Sequence, residues 1–237
     1  MILGKSHDLK LIEDSKPSLV LEDCIIDPAR NVKNLGVIFD ETLSMESYVS
    51  SLCQSMYAII RKISFHRKYM TQDVAAQLMV SLVFSKLDYC NCILFGLPQC
   101  LIDKLQKVQN CAARVCLKKR KFDNVTPLLK QLHWLPVSKR IDYKISTIVH
   151  KCIYGNAPPY IKELIHCVPF RRTLRSASDT TLLIKPRKKL ITYGERSFEY
   201  AGPDVWNTLP RSLRELKNIA TFKKALNTFI QYRLPII

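Results

Sequence analysis

The stretch SMESYVSSLCQSMYAIIRKISF, residues 44–65, decides the fold. Met45, Tyr48, Val49, Leu52, Met56, Ile59, Ile60 and Ile63 recur at three- and four-residue spacing, which is one face of an amphipathic helix. Ser44 in front of them is a candidate N-cap, because its hydroxyl can accept from the first free backbone N–H groups. Downstream, Thr71 precedes a second helical set, Ala75, Leu78, Met79, Leu82 and Val83. Gly96 and Pro98 interrupt. A third helix is expected over about 99–118, with Leu101, Leu105, Val108, Ala112 and Val115 inward. Three amphipathic helices with short joints form a bundle.

Upstream the pattern is different. LKLI (9–12), SLVLEDCII (18–26) and NLGVIFD (34–40) are short apolar runs separated by EDSKP and DPARN, and they read as strands. Downstream, a short helix is expected over 125–133 behind Asn124. Ser138 is a candidate cap for Ile141, Ile145, Ile148, Val149 and Cys152, with Gly155 and Asn156 at the end. Pro158 and Pro159 suit the first turn of a helix over 159–166. TTLLI (180–184) and KLITY (189–193) read as a β-hairpin. Two further helical pieces close the chain, with Pro203 between them or opening a turn. Thr221 is a candidate cap for Phe222, Ala225, Leu226, Phe229 and Ile230. The expected class is mainly α with small β elements, α+β.

The chain has 237 residues, 47% hydrophobic and 24% charged, enough to bury a core without disulfides or a metal. No run approaches 18 uncharged apolar residues, so no membrane partner is expected. MILGKSHDLK lacks the apolar core of a signal peptide, which implies an intracellular protein of cytoplasm or nucleus with its nine cysteines reduced. The charge is uneven. Residues 1–44 hold five Lys/Arg against eight Asp/Glu, whereas 45–237 hold 32 against 12, within a total of +17. Such an excess implies a polyanionic partner for the second part.

Two basic constellations stand out. On the third helix Lys104, Lys107, Arg114, Lys118 and Lys121 fall within an arc of about 100°. Phosphates along a nucleic-acid strand could neutralise such a ladder, and a solvated face is the bland alternative. The second constellation is Arg171, Arg172, Arg175, Lys185, Arg187, Lys188 and Lys189, with Asp179 the only acid among 171–189. It fits a groove-entering turn, a nuclear-import signal or a solvated loop. Tyr and Phe fall mostly on apolar faces, so backbone contact with weak sequence preference is expected.

Other chemistries fit poorly. Cys90, Cys92, Cys100, Cys111 and Cys116 lack the paired knuckles of structural zinc and read as small buried thiols. His133 reads as packed beside Trp134. Paired carboxylates occur at Glu13-Asp14, Glu22-Asp23 and Asp40-Glu41, in turns or strand ends, and later acids are isolated. There is no GxxxxGK[ST], GxSxG or HExxH. No cofactor and no small-molecule substrate are expected.

Six segments together carry a resemblance. They are NVKNLGVIFDETLSM (31–45), SKLDYCNCILFGLP (85–98), LQKVQNCAARVC (105–116), TPLLKQLHWLPVSKRIDYKI (126–145), GNAPPYIKELI (155–165) and PDVWNTLP (203–210). In this order they resemble the C-terminal third of the reverse transcriptase of jockey-like, LINE-type (non-LTR) retrotransposons, across nearly the whole chain.

The resemblance implies three parts. Residues 1–44 would be a β-rich remnant of the polymerase palm, with MILGK its last strand and Leu35, Gly36 and Val37 in a primer-grip-like position. Residues 45–122 would be a thumb-like helical bundle that holds a template–primer duplex. Residues 123–237 would be a basic α-rich tail with the hairpin. The family's [FY]xDD motif, which carries the catalytic aspartates, does not occur in this chain. Magnesium belongs to full-length relatives. The implied function is a truncated reverse-transcriptase fragment that is not itself an enzyme and binds RNA–DNA hybrid or DNA through the backbone. The alternatives are a helical protein–protein interaction module and a non-functional remnant of a mobile element.

Overall fold

The computed structural model describes residues 1–12, 18–21, 24–155, 157–168, 181–187 and 191–232. The described residues are mainly helical, with two small antiparallel hairpins among them. The first pairs β1 (Leu19–Leu21) with β2 (Cys24–Ile26), and the second pairs β3 (Asn31–Asn34) with β4 (Val37–Asp40). LKLI does not form a strand. It lies in a short helix, α1 (Ser6–Leu11), and Leu9 alone in it is buried. A four-residue apolar run with one buried position does not distinguish the two periods. MILGK is not a strand either, and Gly4 N donates to Glu41 O at 3.1 Å.

The turn between β3 and β4 is Leu35-Gly36, with φ of 46° and 86°. Positive φ at both central residues matches the twist of a two-residue hairpin, and Gly36 adopts it without a steric penalty. The strand then delivers Asp40 to the start of α2 (Glu46–His66). The Asp40 carboxylate accepts from Ser44 N at 2.8 Å, Met45 N at 2.7 Å and the Thr42 hydroxyl at 2.6 Å. Ser44 Oγ accepts from Glu46 N, the first helical N–H, at 3.3 Å, as a cap there should, and the two residues ahead of the helix are braced by Asp40. Partial burial raises the Asp40 pKa, but its hydrogen bonds outweigh burial and hold it below the usual value.

The second helix starts as expected, with Thr71 Oγ1 accepting from Val74 N at 3.3 Å. It runs as α3 (Gln72–Leu78), a π-helical stretch (Met79–Phe84) and α4 (Ser85–Asp88). The wider π turn shifts the inward face. Met79, Val83 and Phe84 are buried, while Leu82 turns outward.

Next come α5 (Gln99–Cys116), α6 (Thr126–Gln131) and α7 (Val137–Ile153). Side chains of α5 hold the break before α7. Gln106 Oε1 accepts from Val137 N at 2.9 Å, and Gln109 Nε2 donates to Leu135 O at 2.8 Å. A cap borrowed from α5 therefore starts α7 one residue ahead of Ser138. Trp134 packs edge-on against Phe84. His133 is exposed with φ of 55°, so it ends α6 instead of packing inside.

The remaining elements are α8 (Pro159–Lys162), α9 (Ile191–Gly194), α10 (Phe198–Asn207), α11 (Arg211–Arg214) and α12 (Ile219–Tyr232). The hairpin expected at 180–193 is not formed by the described residues. Leu183 bridges Cys167, and 191–194 is helical. Pro203 lies inside α10. There α10 crosses α7 closely, and a Cβ on Gly202 would meet Ile165 Cδ1 at 2.9 Å and Val149 Cγ2 at 3.1 Å. Asn218, not Thr221, caps α12, accepting from Ala220 N at 2.8 Å and Thr221 N at 3.2 Å. One contiguous core runs from Val37 to Ile230 and joins all three segments of the chain.

Candidate nucleic-acid interface

Helices α2 and α5 pack along their lengths through Leu52, Met56, Ile60, Leu101, Leu105, Val108 and Ala112. At one end of this pair the chain leaves α2 in a tight turn, Arg67–Tyr69. Arg67 is buried. Its Nε donates to Val115 O at 3.1 Å and Cys116 O at 3.2 Å, its Nη2 to Cys116 O at 2.6 Å and its Nη1 to Met70 O at 2.7 Å. The guanidinium thus caps the carbonyl end of α5, where the helix dipole favours a cation. Burial pushes the Cys116 thiol up to about 11, and the nearby Arg67 charge opposes the shift.

The third helix is shorter than its periodicity suggests. It ends at Cys116, and Lys118 takes φ of 51°. Lys119 N donates to Arg114 O at 2.9 Å and Lys118 N to Val115 O at 3.4 Å, the paired bonds of a Schellman end. Glycine normally fills the left-handed position. A lysine there costs about 1 kcal/mol. The strain places a cation where a less strained residue would leave none.

Beside this end lies a groove of about 720 Å³ between α2 and α5. Lys107, Arg114, Lys118, Lys119 and Lys121 line it together with Arg67, and among the described residues no carboxylate does. Arg114 Nη2 donates to Asp123 O at 3.1 Å, which folds the 117–123 loop back over the groove. Its Nε is buried and has no hydrogen-bond partner among the described residues. Cations grouped without acids repel one another until a polyanion neutralises them. A second groove of about 730 Å³ continues along α2 and shares Tyr57, Ser64, Cys111 and Val115 with the first.

Four of the five residues of the helical ladder therefore meet in one groove, two of them from the loop beyond the helix. Lys104 is exposed on α5 outside it, near Cys53. Lys119 and Arg67 are additions that the helical arc omitted; the run KKRK at 118–121 was the visible signal for Lys119, and Arg67 enters the groove only through the fold. Of the second constellation, Arg171, Arg172, Arg175, Lys188 and Lys189 lie outside the described residues. Arg187 is exposed. Lys185 is already engaged: Nζ lies 2.6 Å from Asp204 Oδ1 and 4.3 Å from the Tyr200 ring centroid. The hydrogen bond to Asp204 raises its pKa.

Leu35 and Gly36 edge a separate groove of about 500 Å³ with Lys33, Tyr48 and Tyr89, and the Tyr89 hydroxyl donates to Leu35 O at 2.7 Å. Val37 is a core residue, not a groove residue. Among the described residues no three His, Cys, Asp or Glu side chains gather, and no helix is long and apolar enough to cross a membrane. Compared with protein-family models, curated proteins and solved structures, the chain matches none.

Proposed function

We propose that the chain is the palm-end, thumb and tail portion of a LINE-type reverse transcriptase and grips nucleic acid through its backbone without polymerising it. The observation that carries this reading is the acid-free groove, with five cations converging from α5 and the loop behind it. The ordered motifs of the sequence support the same family. The sequence contains no adjacent pair of aspartates, so the family's catalytic motif has no counterpart to bind the metal ions of nucleotidyl transfer. The expected setting is intracellular, in cytoplasm or nucleus. RNA–DNA hybrid and DNA are the partners that the groove's charge suits.

The hairpin β1–β2 favours a second reading. Leu19, Val20, Leu21, Ile25 and Ile26 are all at least half exposed. An apolar ribbon of this kind is a surface for another protein segment. A protein-interaction module would use this ribbon and leave the groove without a ligand.

Fluorescence anisotropy on a labelled RNA–DNA hybrid separates the two readings. Four phosphate contacts weaken affinity about 100-fold between about 50 and 200 mM salt. Primer extension with magnesium and nucleotides should yield no product. Weak, salt-insensitive binding, or extension surviving removal of host polymerases, would overturn the proposal.

A further inference from the structure

The groove carries more than charge. Phe65 is 77% exposed, Tyr69 76% and Phe122 91%, and Tyr57 is 38% exposed on the wall shared by the two grooves. Phe65 lines the second groove. Phe122 follows groove-lining Lys121, whose Nζ lies 5.8 Å from its ring centroid. Tyr69 closes the turn that Arg67 fastens to α5, with Lys68 Nζ 4.8 Å from its ring. The sequence signal is the alternation RKISFHRKY at 61–69. The expectation that the rings fall on apolar faces does not hold for this cluster.

Single exposed apolar side chains are ordinary on a protein surface. Here Tyr57 lines the basic groove, Phe65 lines the groove that continues it, and Tyr69 and Phe122 stand within two residues of groove-lining Arg67 and Lys121, each beside a lysine ammonium. Cations meet phosphates, and flat exposed rings meet the faces of unpaired bases. A duplex keeps its bases stacked on one another and offers no free face to such rings. A protein partner with matching charge would need a run of acids, but it would leave the rings without flat partners.

We infer that this groove binds a single strand, with phosphates on Lys107, Lys118, Lys119 and Lys121 and unpaired bases stacked on Phe65, Tyr69 and Phe122. The inference rests on the backbone-gripping reading and adds the state of the strand. Sequence preference is weak, because every base has a face to stack.

The test uses the full chain and two labelled probes, a 20-nucleotide oligo(dT) and a mixed-sequence duplex of the same length. Phe65→Ala and Phe122→Ala should each weaken oligo(dT) binding by about 5-fold or more. Duplex affinity and the salt slope should change little, and Phe65→Trp should restore single-strand binding. Both rings are exposed, and circular dichroism checks that the variants stay folded. Salt-dependent binding that ignores the ring variants overturns the stacking and leaves the groove reading intact. Binding with no salt dependence, or none at all, overturns both.

Discussion

Arg67 and Cys116 are 49 residues apart in sequence, and the Arg67 guanidinium grips the Cys116 carbonyl with two donors, Nε at 3.2 Å and Nη2 at 2.6 Å. This contact fixes the turn after α2 against the end of α5, and so sets the shape of the basic groove. A lysine offers no planar fork and would serve fewer of the four recorded bonds.

Arg67→Ala should destabilise the fold by about 2–3 kcal/mol, because several carbonyls at a partly buried helix end lose a charged donor. Urea unfolding should show a lower midpoint with an unchanged slope. Arg67→Lys should recover only part of the loss. An Arg67→Ala midpoint equal to the parent's would mean that water serves these carbonyls equally well.

Lys118→Gly should separate stability from binding. Relief of the left-handed strain should stabilise the chain by about 0.5–1 kcal/mol, since glycine is the preferred residue at this position. The same change removes a groove cation and should weaken nucleic-acid binding. Thermal unfolding and anisotropy on one preparation read both effects. A loss of stability would contradict the strain.

His150 gives a pH dependence. It is buried, stacked on Phe222 at 4.4 Å between centroids, with Nε2 2.7 Å from Leu216 O. Burial lowers its pKa below 6.5, and the bond to Leu216 O only partly opposes this. The unfolded chain therefore takes up a proton first as pH falls. The contribution of His150 to stability is full above about pH 6.5 and is lost from there down to the folded-state pKa. Unfolding midpoints at pH 7.5, 6.5 and 5.5 should decline, and His150→Gln should flatten that decline. An equal decline in the variant would assign it to other groups.

The β1–β2 ribbon should exchange its amide hydrogens much faster than α2 and α5. Its strands are exposed throughout, whereas α2 and α5 each bury one face in the core along their length. Hydrogen exchange read by mass spectrometry compares 19–26 with 46–66. Equal protection would mean that another surface covers the ribbon.

What the sequence conveyed depended on how local the physics was. The apolar spacing of 44–65 gives α2 directly, because one face of one helix settles it. The Ser44 contact to Glu46 N was legible as a cap, but the brace ahead of that helix was hidden, since Asp40 reaches Ser44 N and Met45 N from β4. The end of α5 was hidden too. Lys118 adopts the conformation usually taken by glycine, so no stop signal was written where the helix stops. Periodicity carried on to 118, and it put Lys118 and Lys121 on a helical face that they reach from a loop. The ladder's charges were legible, and their meeting in one groove required the tertiary fold. The exposed rings were written beside cations at 61–69, outside the apolar face of the first helix, but the general reading that Tyr and Phe mostly fall on apolar faces passed over them.

Contact between the groove cations and phosphates is the core of the proposed function. Its most direct test is the slope of log affinity against log salt for oligo(dT), measured for the parent chain and for a variant with Lys107, Lys118, Lys119 and Lys121 all changed to Ala. Each single-strand phosphate contact contributes about 0.7 to that slope, so the variant should lose about 2–3 units. Lys185→Ala serves as the control, because its ammonium is already bonded to Asp204, and it should leave the slope unchanged. A fourfold variant that keeps the parent's slope while remaining folded would contradict the account.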